Sequence, residues 1–485
     1  MKKYTYLSVD FYKFILFSGD AGLAVLVTYP RPLSRGKMDI NNIVTGLCLF
    51  CGESVVSLSG FFIVIMHHKT IWEKALPVIY IICIGAFGSP LLFAQQYVDD
   101  MNIRMDPKLK VSAYIQGQYQ YGQQDASLKV GDTNENPDKG FNRIGVRRGR
   151  LKFEYNDGVG TGAVQIEAND KGVSFRDLYI GLKDPWTKQS QLKAGVFNRP
   201  FGYEVSYSTS FLESPERATV IQYFFPDERD LGAMLTLRAN ETSLLRFLRL
   251  DAGLFAGNSI NRETDNRKDF IGRLSAEKKA GQMKWGLGIS YYNGSVYNPT
   301  TDAYEMQGKH FIKVDKKETG TFMKREYIGF DGQFSLSTII GTTTLRAEGL
   351  FGTQPGIEGS SRSPNYSSRP DDSPANALYE RPFSGYFFYF VQDIANTPFS
   401  IVLKYDSYDP NTKVEGDEVG AGGSYTTKTD LSQSTIGMGA LYAFNKHIRV
   451  QAYYEINKNE TSEQVKGYET DRKDNVFTLR LQYNF

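Results

Sequence analysis

Apolar and polar residues alternate one by one back from Phe485 to Phe477 in the terminal stretch NVFTLRLQYNF. Phe477, Leu479, Leu481, Tyr483 and Phe485 fall on one side, and Thr478, Arg480, Gln482 and Asn484 on the other. A period of two belongs to a strand with one apolar and one polar face. The pattern recurs from residue 109 onward in about sixteen segments: 109–121, 143–155, 162–169, 173–183, 190–198, 231–239, 246–257, 269–278, 282–292, 324–334, 341–352, 383–393, 398–408, 433–444, 447–457 and 475–485. Most are close to the length, about nine to eleven residues, that a tilted strand needs to cross a bilayer.

The connections carry a second regularity. Those after even-numbered segments are short: AGQ near 280, STIIG near 339, ANTP near 396 and FNKH near 445. Those after odd-numbered segments include the long polar stretches 122–142, 199–230, 293–323, 353–382, 409–432 and 458–474, with NDKG between the third and fourth segments the short exception. A transmembrane barrel has tight turns on one side and free loops on the other, and an even strand count returns both ends to the same side. Closure also removes the unpaired edge that a bilayer cannot solvate. The expected fold is therefore all-β, an antiparallel transmembrane barrel of sixteen strands over 109–485. A water-soluble β-sandwich, with one core and a shorter chain, is the competing architecture. The 31 Tyr and 32 Phe are more than a soluble α/β enzyme of this size usually carries. Tyr291, Tyr442, Tyr454 and Phe485, near segment ends, are candidates for the aromatic girdles.

Before the barrel, KTIWEKALPVIYIICIGAFGSPLLFAQQ has two lysines, an apolar run from Ala75 to Phe87 and a small residue at Ala94. This is the layout of a signal peptide, 66–94, cleaved before Gln95. Because such a signal is read from an N-terminus, Met66 is the expected start and 1–65 an upstream extension. Residues 95–108 form a short periplasmic segment, too short for a plug domain. Cys48, Cys51 and Cys83 all precede Gln95, and the C-x-x-C formed by the first two has no second pair to complete a metal site. No cofactor is expected. Residues 1–94 hold 8 of 56 Lys and Arg and 5 of 54 Asp and Glu, which leaves 48 against 49 in the exported chain. Neutrality argues against nucleic acid as a partner.

If the apolar face meets lipid, the other face looks into the lumen. Leu151, Phe153 and Tyr155 point outward on the second segment, so Arg148, Arg150 and Lys152 point inward as a basic ladder with Glu154. The same phasing places Lys193, Arg238, Arg249, Arg273, Arg346, Arg449 and Arg480 inside, with Lys404 and the acids Asp251, Glu348, Asp406 and Glu455. A basic excess in a wet lumen favours anions. The alternative is mutual neutralisation, since Arg249/Asp251, Arg346/Glu348 and Lys404/Asp406 lie two positions apart on one face.

The third external connection, a long one, reads GVFNRPFGYEVSYSTSFLESPERATVIQYFFPDERDLGAML. With RRGRLKFEY before it and the terminal Phe485, the chain resembles the phosphate-selective porin O and P family over most of 109–485. The landmarks are Arg199-Pro200-Phe201-Gly202, Pro215-Glu216-Arg217 and Arg229-Asp230-Leu231-Gly232. The resemblance implies a sixteen-stranded barrel in the outer membrane of a Gram-negative bacterium, a homotrimer, and a third external loop folded inward to narrow a channel for anions such as phosphate. It assigns Arg217 and Arg229 to the constriction. The chain departs from the family in that 203–230 holds Glu204, Glu213, Glu216, Asp227, Glu228 and Asp230 beside these two arginines, and no Lys. The terminal aromatic strand resembles the signal by which outer-membrane assembly machinery recognises its clients.

The expected function is passive diffusion of small hydrophilic solutes with anion or phosphate preference. The alternatives are a general or oligosaccharide porin with Tyr179 and Tyr453 as stacking surfaces, and a surface anchor. The chain is not expected to be an enzyme: after cleavage only His310 and His447 remain, on opposite sides of the membrane, and no G-x-S-x-G elbow is present.

Overall fold

In a computed structural model, residues 108–315, 320–363 and 376–485 are described, together with the backbone of short strands within 3–65. The chain divides into two units, Met1–Arg104 and Met105–Phe485. In the first, Lys3–Val9, Tyr12–Gly19 and Gly22–Thr28 form one antiparallel sheet and Ser54–Ser59 pairs with Phe62–Ile65. The expected signal peptide at 66–94 and residues 95–107 lie outside the described residues.

The second unit is a closed antiparallel barrel of sixteen strands. Its first eight are β1 (Leu109–Gly122), β2 (Phe141–Asn156), β3 (Gly160–Asn169), β4 (Gly172–Lys183), β5 (Gln191–Asn198), β6 (Arg229–Arg238), β7 (Leu248–Phe255) and β8 (Asp269–Ala280). The second eight are β9 (Met283–Asn298), β10 (Thr321–Thr338), β11 (Gly341–Gly356), β12 (Leu378–Asp393), β13 (Phe399–Asp409), β14 (Gln433–Ala443), β15 (Ile448–Asn459) and β16 (Val476–Asn484). The last strand closes on the first in a register running from Val476 opposite Gly122 to Asn484 opposite Tyr114. Phe485 continues the ladder, its amide donating to the Ala113 carbonyl at 2.9 Å.

Strand positions agree with the alternation, whereas strand lengths do not. Strands β9 to β12 run to 16–18 residues, longer than a crossing requires, because they continue as paired ribbon beyond it. The connection between β9 and β10 carries a hairpin of its own, Asp302–Gln307 with His310–Asp315. Its Ala303–Glu305 adds in parallel to Leu378–Glu380 of β12.

The outer wall is apolar. Leu151, Phe153, Leu231, Leu235, Leu237, Leu479, Leu481 and Tyr483 are all exposed. At the short-turn end, Phe399, Tyr442 and Phe444 stack edge to face at 4.8 and 4.6 Å, and Tyr483 meets Phe485 at 4.7 Å. An exposed apolar belt of this extent is unstable in water and is the solvation pattern of an outer-membrane barrel. Among the described residues no helix is long and apolar enough to span a membrane.

The interior departs from the expectation of an entirely wet, charged lumen. Inward aromatics of β9 to β13, among them Tyr292, Tyr327, Phe383, Phe387, Tyr389 and Tyr408, join Phe201, Val205, Phe224 and Phe225 from the third external loop in one buried core. The loop's helix α1, Thr219–Phe224, has no side-chain cap and is held by burying Val220, Ile221 and Phe224. Burial of side chains of this size stabilises by about 1.5–3 kcal/mol each. Gly385 of β12 leaves the hollow that receives Val220; a Cβ there would lie well inside van der Waals contact. Phe197, Met234, Phe255, Ile271, Leu441 and Tyr453, from β5 to β8, β14 and β15, belong to the same cluster, so loop and wall share one apolar core inside the barrel, with the charged lumenal groups beside it.

Candidate functional site

Loop 199–228 enters the lumen through the turn at Gly202, whose φ of +59 suits glycine and whose amide donates to Ser290 Oγ at 3.0 Å. The amides of Tyr203 and Glu204 both donate to the Glu348 carboxylate at 3.0 Å. Farther along, Tyr114 Oη bonds Thr209 Oγ1 at 2.5 Å, Gln482 donates to the Ser210 carbonyl at 2.9 Å, Arg449 to that of Leu212 at 3.1 Å and Arg480 to that of Pro215 at 2.7 Å. These partners sit on β1, β9, β11, β15 and β16, so the loop is pinned to inner faces around the circumference.

Its acids meet the wall's arginines. Glu216 accepts from Arg147 at 2.7 and 2.8 Å, from Arg148 at 3.3 Å and from Arg480 at 3.0 Å. Burial alone would raise the Glu216 pKa, but Arg147, Arg148 and Arg480 outweigh it and hold the carboxyl well below the ordinary carboxylate range. Glu228 behaves alike: burial is outweighed by Arg217, Arg229 and Arg150. Glu213 pairs with Arg346.

Two β-bulges make this network denser than alternation predicts. Gln116 of β1 faces Arg148 whereas Gly117 faces Val146, so Arg147 is an extra residue in β2. Arg147 and Arg148 both reach Glu216 on the lumenal side. On β4 the register shifts between Phe175 and Leu178, and the intervening Arg176 and Asp177 both turn inward, to Glu167 and Arg229. A bulge inserts a residue without changing the faces on either side. The doubled charges at 147–148 and 176–177 between outward apolar residues are the only sequence signal of it.

An alternating-sign relay results. Asp227 pairs with Arg176 at 2.5 Å, Arg176 with Glu167 at 2.5 Å, Glu167 with Arg150 at 2.5 Å, and Arg150 approaches Glu228 at 3.9 Å. Glu228 pairs in turn with Arg229, Arg229 with Asp177 at 2.9 Å, Asp177 with Lys152 at 3.3 Å, and Lys152 with Glu154 at 2.8 Å. Asp227 and Glu228 hold φ of +61 and +62, two consecutive non-glycine residues in the left-handed region. Such backbone strain persists only where surrounding contacts over-determine it, and here the relay supplies them.

The basic residues singled out from the sequence sort accordingly. The ladder Arg148, Arg150, Lys152 is inside but is not a free cationic track, since each member meets a carboxylate. Arg217 lies in the loop, bonded to Glu228 at 2.7 Å and to the Glu204 and Tyr207 carbonyls. Arg249 pairs with Asp251 at 2.6 Å and Lys404 with Asp406 at 2.9 Å, as their spacing suggests. Arg346 takes Glu213 instead of Glu348, and Arg273 takes Asp331. Lys193, Arg449 and Arg238 form no salt bridge among the described residues; Arg238 is exposed at the end of β6, and Arg449 bonds Gln482 at 3.1 Å. Tyr453 is buried in the aromatic core and is not available as a stacking surface, whereas Tyr179 is half-buried and lines a cavity. Residues missed from the sequence are Arg147, Arg176, Arg362, Glu167 and Asp177.

Two cavities flank the relay. One, of about 420 Å³, is lined by Arg147, Arg148, Arg150, Arg176, Arg217 and Arg362 against Glu167, Glu216, Asp227 and Glu228. The other, of about 360 Å³, is lined by Lys152, Lys193, Arg249 and Arg273 against Asp177, Asp251 and Glu277, with Tyr179, Tyr203 and Tyr207. Among the described residues no group of His, Cys, Asp and Glu is arranged to hold a metal ion. His310 lies in the hairpin between β9 and β10, and His447 in the turn before β15, its Nδ1 2.9 Å from the Asn484 carbonyl.

No family model and no curated protein matches the chain. Solved structures do. OprB of Pseudomonas putida is 10% identical, with 79% of this chain and 95% of that one covered and a TM-score of 0.50. OmpF of Salmonella typhi, in complex with daunomycin, is 13% identical over 78% and 97%, with a TM-score of 0.48. A loop L8 deletion form of OmpT, an outer membrane protein of Vibrio cholerae, is 13% identical over 78% and 100%, with a TM-score of 0.45. The expectation that the chain is not an enzyme is corrected here. Four OmpT structures stand among the neighbours at 11–13% identity. A barrel shared at that level decides nothing against catalysis, because function resides in sites and not in folds. The likeness is to the barrel of outer-membrane porins, and it is a likeness of fold.

Proposed function

We propose that the barrel is a passive diffusion channel for small hydrophilic solutes in the outer membrane of a Gram-negative bacterium, with a preference for anions, phosphate among them. The observation that carries the preference is the 420 Å³ cavity beside the loop, with six arginines against four carboxylates. That excess of two positive charges lies where the loop meets the wall, and a local field of one sign in a low-dielectric constriction sets ion selectivity. Because most arginines there are already paired, the preference is a moderate bias and the site is not a cage that strips an anion of its water. The same reading includes a homotrimer, export by the signal at 66–94, and recognition of the final strand by outer-membrane assembly machinery.

The test is the reversal potential of single channels in a KCl gradient across a planar bilayer, with Arg148→Ala beside the parent protein. Arg148 is buried, and among the described residues its one side-chain bond is the 3.3 Å contact to Glu216. Anion preference that falls in the variant is the expected result. Cation preference in the parent protein overturns the reading.

A further inference from the structure

The 360 Å³ cavity differs from its neighbour in both charge and wall. Its acids are spoken for: Asp177 by Arg229 and Lys152, Asp251 by Arg249, and Glu277 by Lys284 at 3.9 Å. Of its bases, Lys152, Arg249 and Arg273 are also paired. Lys193 is not. Its Nζ lies 4.4 Å from the Tyr179 ring centroid and 5.2 Å from that of Phe197. Ring faces fix an ammonium in place without neutralising it, so its donors stay available to a carboxylate or phosphate ester.

The loop supplies the rest of the cavity. Tyr203 and Tyr207 stack with centroids 5.2 Å apart and planes 29° from parallel, and exposed Ser206 lies between them. An aromatic wall beside side-by-side acid–base pairs suits a ring with one apolar face and many hydroxyls. The ring's C–H face packs on the aromatics, and its hydroxyls find donors in Arg249 and Lys152 and acceptors in Asp251 and Asp177. The volume lies within the range of about 300–1,000 Å³ usual for small-molecule sites.

We propose that this cavity is a subsite for a monoanionic saccharide, a pyranose ring bearing one acid group, with the acid on Lys193 and the ring against Tyr203 and Tyr207. The proposal rests on the anion-channel reading and narrows it. A small inorganic anion makes no use of the aromatic wall, and an uncharged sugar makes no use of the unpaired ammonium.

The test is block of single-channel current by D-glucuronate, D-glucose and inorganic phosphate, each added to the full barrel in symmetric KCl. Glucuronate is expected to reach half-block at a concentration about tenfold below that of glucose or phosphate, the worth of one charge-assisted hydrogen bond. Lys193→Met, which keeps the stem over the rings, brings the glucuronate-to-glucose ratio to about one. Tyr207→Leu weakens block by both sugars. Phosphate blocking as well as glucuronate, or a Lys193→Met channel that keeps its preference for glucuronate, overturns the subsite. The comparison of three solutes on the parent channel stands even where a variant does not assemble. Failure of the anion reading shows separately, as cation preference in a KCl gradient with no sugar present.

Discussion

Replacing Glu216 by Gln keeps the shape of the side chain that ties Arg147, Arg148 and Arg480 to the loop and removes its charge. A sphere of the cavity's 420 Å³ has a radius of about 4.6 Å, so a permeating ion at its centre passes about 6 Å from position 216. In water-like dielectric one unit charge at that distance is worth about 0.7 kcal/mol, and screening at 0.1 M salt reduces it to about 0.4 kcal/mol. Loss of the carboxylate favours an anion and disfavours a cation by that amount, about 0.8 kcal/mol between them, or three- to fourfold in the permeability ratio. The assay is the reversal potential in a KCl gradient with conductance recorded on the same channels. The anion-to-cation ratio should rise about threefold with conductance changed by less than about twofold. A ratio that stays constant or falls while conductance is unchanged refutes the placement of Glu216 beside the ion path. A large rise in conductance with selectivity lost means that the loop has left the lumen, and it shows that the bonds to Ser290, Glu348, Tyr114 and Gln482 do not hold it there without the Glu216 charge.

The same carboxylates set a pH dependence. The pKa values of Glu216 and Glu228 lie below the ordinary 4.5 in the folded chain, so their contribution to pinning the loop is fully present above that value and is lost as pH falls through the lower folded values. Loosening of the loop through these two carboxylates should change conductance only in acid below about pH 4.5, and Glu216→Gln should remove part of that change; an acid step left unaltered in the variant contradicts this. Gly385→Val places a side chain in the hollow filled by Val220 and should expel α1, seen as higher conductance and protease cleavage within 199–228. Unchanged conductance and continued protection count against the docking. Intact mass of the exported protein should place its N-terminus at Gln95; a start upstream contradicts the signal assignment at 66–94.

The barrel was legible because the bilayer forces its code on the chain. A wall between lipid and lumen must alternate, and Leu479, Leu481 and Tyr483 against Thr478, Arg480 and Gln482 show the two solvents directly. The apolar core inside the barrel was not legible, because β12 reads GYFFYFV, with aromatics on both faces, and periodicity cannot tell a ring that meets lipid from one that meets a loop. Charge pairing was legible only where it is local. Arg249 and Asp251 find each other two residues apart, but Arg346 passes over Glu348 for Glu213, which is 133 residues away in sequence. Glu348 is engaged by two loop amides, a demand that no strand pattern reveals.

The acid content of the loop, which by itself argues against an anion path, takes on another meaning once the partners are known. Arginines turned inward beside a packed loop are largely removed from water, and a charge so placed is unstable without a partner. Glu213, Glu216 and Glu228 are those partners for Arg346, for Arg147, Arg148 and Arg480, and for Arg217 and Arg229. A loop of this composition therefore neutralises the wall it packs on, and on the diffusion-channel reading the field left for a solute is the difference between two larger sums. Six against four is such a difference. One substitution changes it by half, which makes selectivity in this barrel easier to alter than the barrel itself.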